Sequence, residues 1–268
     1  MVKGTLGIIG CPILEDEVIY SLNNEKEAKV YVVDNDPSRS LIKKLELKGI
    51  PFTPVDEWEF DNGFVDIDPD IFNIVVIMDK LGLHSQPKVL RETLEEQLKQ
   101  HQSRFNSVAL YYGMCGNAGW DVSKWASEKL SFPVFVFRDR EEKVCDDCIG
   151  VAVGGCSQYY TLVKRHTGRL FVTPAIADNW ESFSKEMDML KGFDILGITN
   201  LAEMFDLFGY THMVKIDTGI GSKGDELEKG FERVSESTGL KMVTLEPGTV
   251  DMYPTERIYR DAKNALGQ

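Results

Sequence analysis

Three short stretches carry the residue types that could do chemistry. "LYYGMCGNAGW" (110–120) ends an apolar run in Gly113, Met114, Cys115 and Gly116. "VCDDCIGVAVGGC" (144–156) holds Cys145, Cys148 and Cys156, and "IIGCPILEDE" (8–17) holds Cys11. Thiolates bind soft or borderline metal ions, and neutral imidazole completes such sites. Cys145 and Cys148 form a Cys-x-x-Cys pair, a spacing that lets two sulfurs reach one ion. A zinc ribbon would carry a second such pair, and the chain has none. An open site is the better expectation. It takes Cys11, Cys115 and Cys148 as ligands, with His84 or Cys145 as a fourth, and keeps coordination positions for reaction.

Each residue has a plainer alternative. Cys11, in an apolar strand, could be a small buried hydrophobe, and so could Cys156. Cys115 lies between Gly113 and Gly116, and such glycines allow positive φ and close backbone approach. Tyr112, Gly113 and Gly116 are therefore the residues expected to contact a bound cofactor. Cys148 opens "CIGVAVGG", where a helix N-terminus would lower its thiol pKa, and Asp147 is placed to orient a ligand. A redox role for the Cys-x-x-Cys pair is disfavoured, because its two intervening aspartates raise thiol pKa. His84 could cap the helix entered at Pro87, and His101, His166 and His212 read as solvent-facing or structural. "GIGSKGDE" (219–226) resembles an anion-binding turn before a helix, without the P-loop spacing. Asp217 just before it reads as a helix-capping turn or a strand-end site residue.

The elements that must position these residues alternate along the whole chain. Apolar runs at "TLGIIGCPI", "AKVYVVDND", "NIVVIMDK", "SVALYYGM" and "FPVFVF" read as strands. Amphipathic stretches between them, such as "PSRSLIKKLELKG" and "KVLRETLEEQLKQHQ", read as helices. The C-terminal part continues with "RLFVTPA", "THMVKID" and "LKMVTLEP" between helices, ending in "PTERIYRDAKNAL". This is the pattern of an α/β fold: a mainly parallel, Rossmann-like sheet with helices on both faces. The expectation is a single α/β domain over 1–268, with two lobes meeting near 145–175 as a variant. Residues 55–72, "VDEWEFDNGFVDIDPDIF", read as an acidic loop. Ligands in open α/β sheets collect beyond the carboxyl ends of the strands. Cys11, His84, Cys115 and the pair Cys145 and Cys148 each follow a strand and so fall on one edge.

Composition narrows the function classes. Net charge is −13, from 30 basic against 43 acidic side chains, and no basic patch suited to a phosphate backbone is present. Nucleic acid is thus not an expected partner. No apolar run reaches the roughly 20 residues that span a bilayer, and the N-terminus reads as a strand rather than a signal peptide. A cytoplasmic protein is expected. Its five cysteines then point to metal, catalysis or burial rather than disulfides.

The ordered set of motifs resembles the domain of unknown function 1638 family. The resemblance rests on Cys11 in "IIGCPILEDE", His84 and Pro87 in "HSQPKVL", and Cys115 in "YGMCG". It continues with Asp147 and Cys148 in "DDCIGVAVGG" and with Gly168 and Pro174 in "HTGRLFVTPA". "FRDREEKVCDDC" is longer than the family pattern and adds Cys145, which leaves the last ligand open. The resemblance implies a setting beside corrinoid-dependent methyltransferases, hence a role in corrinoid-linked one-carbon metabolism with a corrinoid protein or methyltransferase as partner. Zinc is the cofactor expected, in a site that keeps a thiolate nucleophilic for methyl transfer. The competing expectation is a non-catalytic binder or carrier of an iron–sulfur cluster, a haem or a corrinoid.

Overall fold

A computed structural model describes residues 2–81, 83, 86–113, 120–186 and 190–267. The first half builds β1 (Gly4–Gly10), α1 (Glu15–Asn23), β2 (Lys29–Asp34), α2 (Arg39–Lys48), β3 (Thr53–Asp56) and α3 (Glu57–Asn62). It continues with β4 (Phe72–Met78), α4 (Pro87–Gln100), β5 (Ser107–Tyr111), α5 (Val122–Lys129) and β6 (Val134–Val136). These six strands form one sheet in the order β3-β2-β4-β1-β5-β6, with every pairing parallel.

Every residue of β1, β4 and β5 is buried, as expected of central parallel strands covered on both faces. Leu41 and Leu45 of α2, Val18 and Leu22 of α1, and Ile258 and Ala262 near the C-terminus pack on one face. Leu90, Leu94 and Leu98 of α4, with Val122 and Ala126 of α5, pack on the other. That i, i+4, i+8 leucine ladder is the apolar stripe that makes α4 a sheet-covering helix.

The second half adds α6 (Cys148–Ala152), α7 (Cys156–Arg165), β7 (Arg169–Val172), α8 (Pro174–Asp178), α9 (Trp180–Glu186) and α10 (Leu201–Leu207). It closes with β8 (His212–Lys215), α11 (Gly224–Thr238), β9 (Lys241–Thr244) and α12 (Tyr253–Asn264). β7, β8 and β9 form a separate three-stranded parallel sheet. One apolar cluster runs from the first sheet into the second without a break. α12 returns to pack against α1, β5 and β6.

One element expectation fails. The acidic segment 55–72 contains the end of β3 and all of α3. Asp56 caps α3 by accepting the Glu59 N–H at 3.0 Å, and Phe60 is its only buried anchor. A short edge strand and a helix with one apolar contact leave little hydrophobic period to read.

The sheet order fixes where a site should open. α1 carries the chain from β1 across β4 to β2 on one face, while α5 carries it from β5 to β6 on the other. The connections leaving β1 and β5 thus run in opposite directions, and the crevice between those strand ends is the expected ligand site of a doubly wound sheet.

Candidate functional site

Three side chains stand in one register row at that crevice. Gly10, the last residue of β1, pairs with Met78 on one side and Tyr111 on the other. The next residues, Cys11, Asp79 and Tyr112, therefore lie level with one another, and residues at one level of a parallel sheet point to one face. The backbone continues the ladder. Asp79 N–H donates to the Gly10 carbonyl at 2.9 Å, and Cys11 N–H to the Tyr111 carbonyl at 3.1 Å.

The Tyr112 hydroxyl donates to Asp79 Oδ2 at 2.8 Å, although β1 separates their strands. Gln97 of α4 donates to the other oxygen, Oδ1, at 3.1 Å. Burial pushes the Asp79 carboxyl up to about 6, against the pull of these two hydrogen bonds. Burial also holds the Tyr112 phenol well above its ordinary range, with negative charge at Asp79, Cys11 and Cys148 adding to the effect. Tyr112 is thus a protonated donor at neutral pH.

Cys148 comes from a different direction. It is the first residue of α6 and touches the apolar clusters on both faces of the sheet, so it stands at the sheet's rim. Gly113 makes this approach possible. A Cβ there would lie 2.6 Å from Cys148 N and 2.8 Å from the Asp147 carbonyl carbon, closer than any side chain permits. Its φ is not in the left-handed region, so of the two uses expected for this glycine the close approach is the one realised. Asp147 Oδ1 accepts the Ile149 N–H at 2.7 Å. It caps the turn that carries Cys148 and so positions that residue through the backbone.

The chain separates Cys145 from Cys148. Cys145 is fully buried, and its N–H donates to the Phe137 carbonyl at 2.9 Å. Both thiols are free, and a hydrogen bond between Cys145 and Cys156, with burial, raises the Cys145 thiol well above its ordinary range. Cys156 Sγ lies 3.3 Å from the Val144 carbonyl and 2.8 Å from Asp146 Oδ1. Cys145 and Cys156 belong to the core on the α1, α2 and α12 side. Only Cys148 of the Cys-x-x-Cys pair also packs toward the Tyr112 side.

His84, Cys115 and Gly116 lie outside the described residues. Among the described residues, no three His, Cys, Asp or Glu side chains are grouped to hold a metal ion. His101 is structural: it is buried, its ring centroid is 4.9 Å from that of Phe60, and burial lowers its pKa to about 4. Asp217 accepts the Gly219 N–H at 2.8 Å, a local turn rather than the expected helix cap, because Lys223 occupies the N-cap of α11. Sequence reasoning missed Asp79 and Gln97. Asp79 was within reach of it: it is the first polar residue after the apolar run "FNIVVIM", the same criterion that singled out Cys11.

A cavity of about 480 Å³ opens beside the row, lined by residues that include Pro12, Arg39, Lys80, Leu81 and Asn179. Pro12 and Lys80 directly follow Cys11 and Asp79, so the cavity borders the row at two strand ends. Arg39 is paired with Asp36 at 2.6 Å.

The sequence model of one family, Protein of unknown function (DUF1638), matches residues 78–253. That is well over half of the chain, and the chain belongs to this family. No curated protein and no solved structure matches it.

Proposed function

We propose that this member of the DUF1638 family binds a transition metal ion, zinc foremost, at the carboxyl ends of β1 and β5. Cys11 and Cys148 supply two thiolates, Cys115 is the third ligand, and His84 is the candidate fourth. One observation carries the reading: Cys11 stands level with Tyr112 at the strand ends, and Cys148 packs from α6 against the same apolar cluster that holds both. Cys115 follows Tyr112 by three residues. The donor set suits zinc, because thiolate and imidazole favour it over the hard cations that require oxygen ligands.

Zinc would supply a thiolate that stays nucleophilic at neutral pH. The chain's own residues hold the surroundings. Tyr112 and Gln97 fix Asp79, Gly113 admits the α6 turn against β5, and Asp147 caps that turn. Asp79, with its raised pKa, is the group that could exchange a proton beside the sulfurs. The finer part of the proposal is methyl transfer in corrinoid-linked one-carbon metabolism, with a corrinoid protein or methyltransferase as partner. It rests on the family resemblance.

The test is elemental analysis with a visible spectrum, on protein purified without oxygen. About one colourless zinc per chain, lost in Cys148→Ser, is the expected result. Metal-free protein with its cysteines reduced would overturn the reading. A visible band would transfer the site to an iron–sulfur cluster, a haem or a corrinoid.

A further inference from the structure

A second cavity, of about 580 Å³, lies away from the cysteines and gathers positive charge on a protein of net charge −13. Its lining includes Lys43, Lys44 and Lys48 of α2, Lys223 just before α11, and Arg233 within α11, against two carboxylates among the described residues, Asp178 and Glu226. Two of the cations are already neutralised. Lys44 contacts Glu15 at 2.8 Å, Asp16 at 3.0 Å and Asp178 at 2.7 Å, while Lys43 faces Glu226 at 3.6 Å.

Lys48, Lys223 and Arg233 have no such partner. Among the described residues, none of the three lies within ion-pair distance of a carboxylate. Burial lowers the Lys48 pKa, and the nearby Lys223 charge adds to this against an opposing pull from Asp16. These three exposed cations come together from separate elements, and a bound anion would relieve their mutual repulsion.

The backbone contributes as well. The segment "GIGSKGDE" runs from the carboxyl end of β8 into α11, the edge of the second sheet where ligands are expected. Lys223 occupies the N-cap of the 15-residue α11, and no side chain caps that end. Its first N–H groups are thus donors that helix geometry leaves over. The floor, by contrast, is closed. Ser222 Oγ donates to Asp178 Oδ2 at 2.9 Å, and Ser40 Oγ to Glu15 Oε1 at 2.9 Å.

We propose that this cavity is a binding site for a phosphorylated small molecule, held by Lys48, Lys223 and Arg233 at the N-terminus of α11. Its volume falls within the about 300–1,000 Å³ of small-ligand pockets. The protein's net negative charge repels a long polyanion, which restricts the ligand to a compact phosphate ester or anhydride.

Calorimetric titration with inorganic phosphate, pyrophosphate and adenosine monophosphate tests this on the full chain. The expected result is one saturable site for at least one probe. It should weaken by about tenfold or more when Lys48→Ala and Lys223→Ala are combined, as expected on losing two charge-assisted contacts. The control pair Lys26→Ala and Lys129→Ala, exposed lysines outside the cavity, should leave affinity unchanged. Arg233→Ala gives a second, independent variant should the double one fold poorly. Absence of saturable binding for all three probes, or equal weakening in the control pair, would overturn the proposal.

Discussion

Tyr112 reaches over the end of β1 to donate to Asp79 at 2.8 Å, linking β4 to β5 across the strand that Cys11 follows. Adjacent strands stand about 4.8 Å apart, so only a side chain as long as tyrosine bridges two intervals at this level. The bond is the frame within which Cys11 sits.

Tyr112→Phe removes that donor and leaves Asp79 Oδ2 buried without its partner. Stability should fall by about 1–3 kcal/mol, read as a lower urea midpoint with an unchanged slope. A neutral Tyr112→Phe would show that water or another donor replaces the phenol and that the bond does not frame the row.

Gly113→Ala and Gly49→Ala separate close approach from backbone strain. At Gly113 the added methyl would meet the Cys148 backbone at 2.6 Å, so α6 must move, costing about 1–3 kcal/mol. At Gly49 the space is open, but φ is +65°, so the cost is left-handed strain alone, about 1 kcal/mol. Thermal melts of both variants check the ranking. Only Gly113→Ala should also change the reactivity of Cys148 toward a thiol reagent.

Lys44→Met should be among the most damaging single changes, costing about 3–5 kcal/mol. It would strand Glu15 and Asp16, both buried, without their cation. Burial already raises both carboxyl pKa values even with Lys44 present. Without it they would bind protons to become neutral, so the loss should be larger at pH 8 than at pH 5. Denaturation at the two pH values distinguishes this from simple loss of packing.

His101 should remain neutral well into acid. Its folded pKa of about 4, lowered first by burial and then by Arg104, lies below the unfolded value near 6.5. Between those values the unfolded chain binds the extra proton, so the His101 contribution to stability is complete above about pH 6.5 and falls as pH drops toward 4. The imidazole proton resonances followed by NMR should show no titration of His101 at pH 5.5. Titration near 6.5 would contradict the burial argument.

The fold was legible where long apolar runs alternate with amphipathic helices. β1, β4 and β5 stood out because both of their faces are buried, and strand-end reasoning placed Cys11 at the edge where Tyr112, read as a cofactor contact, also lies. The register row was not legible. Nothing in "FNIVVIM" states that Met78 pairs with Gly10, and without that pairing Asp79 reads as an ordinary polar residue ending a strand. The Cys-x-x-Cys spacing concealed a change of direction. An antiparallel bridge between Arg138 and Val144 turns the chain back, so that Cys145 joins Cys156 in the core. β3 and α3 were hidden for a simpler reason: an exposed edge strand containing Pro54 and a helix anchored by Phe60 alone have almost no apolar pattern.

The most direct test of the central claim is X-ray absorption at the zinc edge on the intact protein, compared with Cys11→Ser and Cys148→Ser. A thiolate site should show sulfur scatterers at about 2.3 Å, with each variant losing sulfur or the metal itself. A first shell of nitrogen and oxygen alone at about 2.0–2.1 Å, unchanged in both variants, would contradict it.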